Sequence, residues 1–248
     1  MTQTIDLNAD LGEGCGFDEE LMELVSSCNI ACGGHTGDDA SMRAALRLAK
    51  VHNVAAGAHP AFPDRENFGR AKSALKGAPL ESALAQQVNA LSRIAREEGI
   101  RLTHLKAHGA LYNMAAMDAD LSDSLAKVAA SQLPETRVVG PPGSELERAA
   151  KRRGLAFIAE GFVDRAYEKT GQLRARSKSG ALLLDAASQT QQAMMMATSG
   201  LVTSHDGEVM FLAADTLCIH GDTPGAVEAA RAVHHTLKQN GFVICAPD

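Results

Sequence analysis

The chain of 248 residues has no tryptophan, only two tyrosines and seven phenylalanines. Its core must therefore rest on Ala, Leu, Val, Ile and Met. No apolar stretch reaches the roughly 20 residues of a membrane-crossing helix, which argues against a membrane role. Basic runs and RNA-binding signatures are missing, and a net charge of −6 opposes non-specific binding to nucleic acid. The opening Met1-Thr2-Gln3-Thr4 has no signal-peptide pattern. Five cysteines, an odd number in a chain of this size, do not suggest a disulfide framework; reduced thiols and a cytoplasmic location are expected. Cys28 and Cys32 lack a zinc-knuckle spacing and read as small buried residues. No Pro/Ser-rich linker divides the chain, so one domain over residues 1–248 is expected.

What the chain does have is a repeated pattern of short apolar runs that end in ionisable or Gly-rich clusters. The runs are Thr4–Asn8, Ser27–Cys32, Val54–Ala58, Leu102–Lys106, Arg137–Gly140, Ala156–Glu160 and Asp215–Ile219. Phe242–Cys245 is an eighth or an edge strand. Amphipathic segments with caps lie between several of them: Asp18, Asp38 or Asp39, Asp118 and Ser144 as N-terminal signals, Pro79 in a first turn, Gly99 and Gly154 as stops. Strands alternating with helices imply a parallel sheet, and the length suits an α/β barrel with its site at the C-terminal ends of the strands. Residues 60–79 and the basic segment 164–182 read as long loops, and Asp206-Gly207 marks a hairpin beside the barrel.

The strand ends carry the candidate chemistry. Asp10 and Glu13 follow the first run. Two carboxylates so close suggest that one keeps a proton near neutral pH, as acid/base catalysis would use. His35, His59, His108 and His220 each end a different run, and imidazole titrates near physiological pH. Lys106 and His108 are two apart and share a strand face, so the ammonium can stabilise an oxyanion or bind a carboxylate. Asp10, His59 and His108 are also a possible carboxylate–imidazole set for a divalent metal. The glycines 12, 14 and 16 match neither a P-loop nor a Rossmann fingerprint. Ser144 reads as a cap, Cys218 as buried, and His52, His234 and His235 as helix residues away from the rim.

Several blocks carry a family resemblance: Asp6-Leu7-Asn8-Ala9-Asp10-Leu11-Gly12-Glu13-Gly14, Asn29-Ile30-Ala31-Cys32-Gly33-Gly34-His35, Gly57-Ala58-His59-Pro60, Phe68-Gly69-Arg70, Lys106-Ala107-His108-Gly109-Ala110-Leu111-Tyr112-Asn113, Glu160 to Tyr167 and Ala214 to Asp222. Together they span nearly the whole chain, which resembles the lactam-utilisation family associated with the A subunit of bacterial ATP-dependent 5-oxoprolinase. The family usually has Phe at the place of Gly34, Ala at Thr36, Pro at Ala107, and Gly and Tyr at Ala61 and Phe62. The resemblance implies a distorted TIM-like barrel of about seven strands, of the glycoside hydrolase/deacetylase type. It further implies ATP-coupled opening of 5-oxoproline (pyroglutamate) to L-glutamate, with B and C partner subunits. On these matched blocks the expected catalytic residues are Asp10, Glu13, His35, His59, Lys106 and His108. Asn8, Asn29, Arg70, Glu160, Arg165, His220 and Asp222 are the expected substrate contacts. Two other functions suit the same residues: a metal-dependent deacetylase or carbohydrate hydrolase, and a non-catalytic subunit that only binds a lactam.

Overall fold

The computed structural model describes residues 3–247. The strands β1 (Gln3–Leu11), β2 (Ser27–Ala31), β3 (Ala55–His59), β4 (His104–Lys106), β5 (Arg137–Gly140) and β6 (Phe157–Phe162) run parallel as successive neighbours. A hairpin of β7 (Leu201–Thr203) and β8 (Val209–Phe211) stands apart from them, with Asp206-Gly207 in its turn. Next, β9 (Thr216–Ile219) pairs with both β6 and β1 and closes a seven-stranded parallel barrel. Finally, β10 (Phe242–Ile244) pairs with Gln3–Ile5 at the beginning of β1 and lies outside the closed ring.

The helices are α1 (Asp18–Met22), α2 (Asp39–His52), α3 (Gly77–Glu97), α4 (Gly109–Ala115), α5 (Ala119–Gln132), α6 (Glu145–Arg152), α7 (Ala186–Ser199) and α8 (Ala226–Gln239). Local chemistry sets their ends. Asp38 and Ser41 form a reciprocal capping box on α2, and the carboxylates of Asp118 and Asp185 accept backbone N–H groups at the starts of α5 and α7. Asp18 departs from its expected role as a cap. It lies inside α1, and its carboxylate instead accepts the Gly12 N–H at 2.8 Å, which ties the helix to the turn after β1. Neither α4 nor α7 was expected from the sequence.

Alternation along β1 explains the layering. Leu7, Ala9 and Leu11 are buried with apolar helix residues such as Leu46, Leu84, Leu91 and Leu237. Asp6, Asn8 and Asp10 turn into the barrel. Barrels of this kind are usually filled by branched aliphatic side chains; this one holds a hydrogen-bonded polar column. Asp6 accepts from Ser26, Ser27 and Thr216 at 2.6–2.7 Å. Asn8 Nδ2 donates to Thr216 Oγ1 at 2.7 Å and to Glu160 Oε1 at 3.1 Å. Asn29 Nδ2 donates to Asn8 Oδ1 at 2.8 Å and Asp10 Oδ1 at 2.9 Å, and Asn29 Oδ1 accepts from His104 Nε2 at 2.8 Å. Each buried polar group thereby keeps partners in place of water.

His104 fits inside this column only because position 57 on the neighbouring strand has no side chain. A Cβ at Gly57 would stand 2.2 Å from the imidazole. Gly57→Ala should therefore push His104 off Asn29 and cost at least the ~1–3 kcal/mol typical of overpacking. A thermal melt followed by circular dichroism should show a midpoint several degrees lower; an unchanged midpoint would mean that the ring has room to move.

Candidate active site

The polar column leads up to Lys106, at the C-terminal end of β4. Its ammonium lies 2.9 Å from Asp10 Oδ1, 2.7 Å from Glu160 Oε1 and 3.2 Å from Cys218 Sγ, above the Phe162 ring. Lys106, Asp10 and Glu160 are all buried. Burial opposes the lysine's charge, but Asp10 and Glu160 hold it well above the usual lysine range. Burial also works against the Asp10 anion, yet His59 and Lys106 keep its carboxyl well below the usual range.

Beyond Asp10 lies a group of three imidazoles around Glu13. Glu13 Oε1 is 2.8 Å from His35 Nε2, 3.3 Å from His108 Nδ1 and 3.8 Å from His59 Nε2. His35 and His108 stack face to face with centroids 3.6 Å apart, and His59 meets both edge-on. Burial lowers the His35 pKa and brings that of His108 down to about 4. The expectation of a carboxyl that stays protonated near neutral pH is not met. Despite burial, the Glu13 carboxyl too is held below its usual range by the imidazoles of His108 and His35 beside it. The two acids do not share one proton because each has its own partners.

The backbone around His108 is strained to hold it. Phe68 has φ +54°, in the left-handed region that non-glycine residues seldom occupy. This turn presents the Phe68 carbonyl to His108 Nε2 at 3.0 Å and sets its ring edge-on to His35 and His108. The next carbonyl, of Gly69, accepts the Ala110 N–H at the start of α4. The departure at Gly34 also has a local reason. A Cβ there would meet Gln87 Oε1 at 2.3 Å, and that amide bonds both the N–H and the carbonyl of Ala61.

On the far side of Asp10 stands His220, after β9. Its Nδ1–H donates to Asp164 at 2.7 Å, and its Nε2 lies 3.9 Å from Asp10 Oδ2. Burial opposes protonation of His220, but the Asp164 charge and hydrogen bond raise its pKa above the ordinary value. Asp164 is itself held below the usual carboxylate range in spite of burial, chiefly by His220.

At the mouth, Asp222 Oδ2 joins Arg70 at 2.6 Å and Arg176 at 3.1 Å. The two guanidiniums belong to the two long loops, so this latch draws the loops together over the site. Asp10, Glu13, His35, His59, Lys106, His108, Asn8, Asn29, Glu160 and His220 thus form one continuous network, with Arg70 and Asp222 as its cover. Arg165 points elsewhere: it donates to the carbonyls of Arg174 and Ala181 and braces its own loop. Sequence reasoning missed His104 and Asp164. The parity of His104 with Lys106 on β4 could have shown the former; only the folded loop brings the latter to His220. The strand-end groups meet in a buried cluster closed by this latch. Two sets of groups have ligand atoms close enough for a metal ion: Glu13, His35, His59 and His108, and separately Asp10, Cys218 and His220. The expected set of Asp10, His59 and His108 is divided between them.

A model of the LamB/YcsF family matches residues 5–248. The A subunit of 5-oxoprolinase from Methylococcus capsulatus is 45% identical, over 99% of this chain and 96% of that protein. The crystal structure of the lactam utilization protein from Thermus thermophilus superposes with a TM-score of 0.92 at 41% identity, covering 98% of this chain and 100% of that one. A peptidoglycan deacetylase from Bacillus subtilis shares the fold at a TM-score of 0.52 and 10% identity, with 98% and 87% covered. Among the described residues no helix is long and apolar enough to cross a membrane.

The Asp164–His220 pair gives a direct titration test. In the folded protein the His220 proton should be retained above pH ~6.5, the unperturbed value. Because the folded pKa is raised, the pair's contribution to stability is full below the unfolded pKa and fades as pH climbs through the folded one. Imidazole NMR should show His220 titrating above the free value, and Asp164→Asn should bring it down. An identical titration in both proteins would dissociate Asp164 from His220.

Proposed function

Because the chain belongs to the LamB/YcsF family, we propose that it is the A subunit of an ATP-dependent 5-oxoprolinase, opening 5-oxoproline to L-glutamate together with B and C subunits. The observation that carries this reading is the Asp10–His220–Asp164 line, a buried anion facing a proton-holding imidazole beside the Lys106 ammonium. The 45% identity to a relative named as the A subunit of 5-oxoprolinase supports the substrate.

A five-membered lactam resists hydrolysis because its amide is resonance-stabilised and its nitrogen leaves poorly. Phosphorylation of the carbonyl oxygen by ATP makes the ring carbon electrophilic. Water then bonds to that carbon, and Asp10 takes up its proton. The C–N bond breaks as His220 gives its proton to the nitrogen, a pairing of base and acid on one amide. The acyl phosphate that remains is hydrolysed by a second water, leaving glutamate and phosphate. The Asp10 carboxyl is held below the usual range, so it stands ready as an anion to accept the attacking water's proton. Lys106 stabilises the oxygen charge that develops at the carbon. Arg70 and Arg176, already poised on one carboxylate, suit the substrate carboxylate or the phosphate. With no P-loop in the chain, nucleotide handling is assigned to the assembled complex.

Labelled 5-oxoproline should be converted to glutamate when this chain, both partners and ATP are combined, and not when any one is left out. His220→Gln and Asp10→Asn should each cut turnover by about 10²–10⁴-fold, the usual range for an acid/base group, in protein whose circular dichroism shows the parental fold. Near-normal turnover in both variants would reduce this chain to a lactam-binding subunit.

A further inference from the structure

We propose that Glu13, His35, His59 and His108 form a binding site for one transition-metal dication, Zn²⁺ being the best match. The inference is independent of the lactam reading, since it concerns a ligand set and not a substrate.

Proton bookkeeping at two of the rings supports it. His59 Nδ1 lies 2.8 Å from the Lys106 carbonyl, and His108 Nε2 lies 3.0 Å from the Phe68 carbonyl. A carbonyl oxygen only accepts, so each of these nitrogens carries the proton. The opposite nitrogens, His59 Nε2 and His108 Nδ1, then present lone pairs to each other at 3.0 Å. Glu13 Oε1 adds its negative charge 3.3 Å from His108 Nδ1 and 3.8 Å from His59 Nε2. Electron pairs and an anion converging in this way repel unless something positive lies among them. A single added proton satisfies one pair of atoms; a dication satisfies all four ligands at once.

The spacing suits the second choice. Ligands held ~2.0–2.1 Å from Zn²⁺ at tetrahedral corners stand ~3.3 Å apart. The separations here are 2.8, 3.0, 3.3 and 3.8 Å, and all four ligand atoms lie within 4.8 Å of one another. Three imidazoles and one carboxylate favour Zn²⁺ and its first-row neighbours over Mg²⁺ or Ca²⁺, which prefer all-oxygen surroundings. Carbonyl acceptors on the distal nitrogens are the usual device that fixes a ligating imidazole's tautomer and direction. The left-handed Phe68 backbone supplies one of them, which gives its strain a use.

The other candidate set, Asp10, Cys218 and His220, does not compete. The Lys106 ammonium already stands 2.9 Å from Asp10 and 3.2 Å from Cys218, and His220 is bound to Asp164. Asp10 Oδ2, 3.2 Å from His59 Nε2, is therefore left beside the proposed ligands as a free acid/base group.

The test uses the full-length protein, stripped with a chelator and checked for its fold by circular dichroism. Calorimetric titration with Zn²⁺ should show one equivalent bound per chain, Co²⁺ should give the visible ligand-field absorption of a low-coordinate site, and either ion should raise the melting midpoint with concentration. His59→Ala and His108→Ala should weaken binding by at least ~10-fold, while His234→Gln on α8 should leave it unchanged. Failure of the folded parent protein to take up an equivalent would overturn the proposal, and this arm needs no variant to fold. So would undiminished uptake by His59→Ala and His108→Ala. None of these readouts depends on turnover, so the oxoprolinase reading stands or falls separately.

Discussion

The barrel is organised around one ammonium. Lys106 is enclosed between Asp10 and Glu160, and each of the three groups would be severely penalised by burial alone. Together they form a chain of alternating charge to which Asn8, Asn29 and Cys218 add further hydrogen bonds. An aliphatic barrel core would leave Lys106 without partners. The polar column below it, down to Asp6 and Thr216, therefore belongs to the same design as the site above it.

From this arrangement the electrostatics of the mouth follow. Fixed as an anion, Asp10 faces His59 on one side and His220 on the other. The Glu13 imidazoles form one compartment and the Asp164–His220 pair another, with Asp10 shared between them. Burial lowers the pKa of His35 and His108, whereas Asp164 raises that of His220. A group inclined to bind a cation thus stands next to a group inclined to donate a proton, with only Asp10 between them. Such separation of roles between neighbouring titratable groups is typical of a catalytic centre.

Much of this was legible in the sequence, for a physical reason. Parallel strands buried on both faces are mostly apolar, so ionisable residues that close successive runs mark the same rim. That rule located Asp10, His59, Lys106, His108, Glu160 and His220. Alternation along Asp6-Leu7-Asn8-Ala9-Asp10 also encodes the polar interior, since every second residue is polar, although aliphatic barrel cores are the norm. What stayed hidden depends on contacts distant in sequence. Asp164 reaches His220 across 56 positions, Phe68 adopts a conformation that no local propensity favours, and Gln87 occupies the space beside Gly34. The closure of the mouth was hidden as well, because it rests on the meeting of Arg70 and Arg176 at Asp222.

The most direct measurement is a denaturant-unfolding cycle on the buried charge chain. Lys106→Met should lose ~3–5 kcal/mol by leaving two buried carboxylates without their cation. Adding Asp10→Asn and Glu160→Gln to it should restore most of that loss, because an uncharged interior no longer needs the ammonium. Losses that simply add from one substitution to the next would contradict the central place given to Lys106.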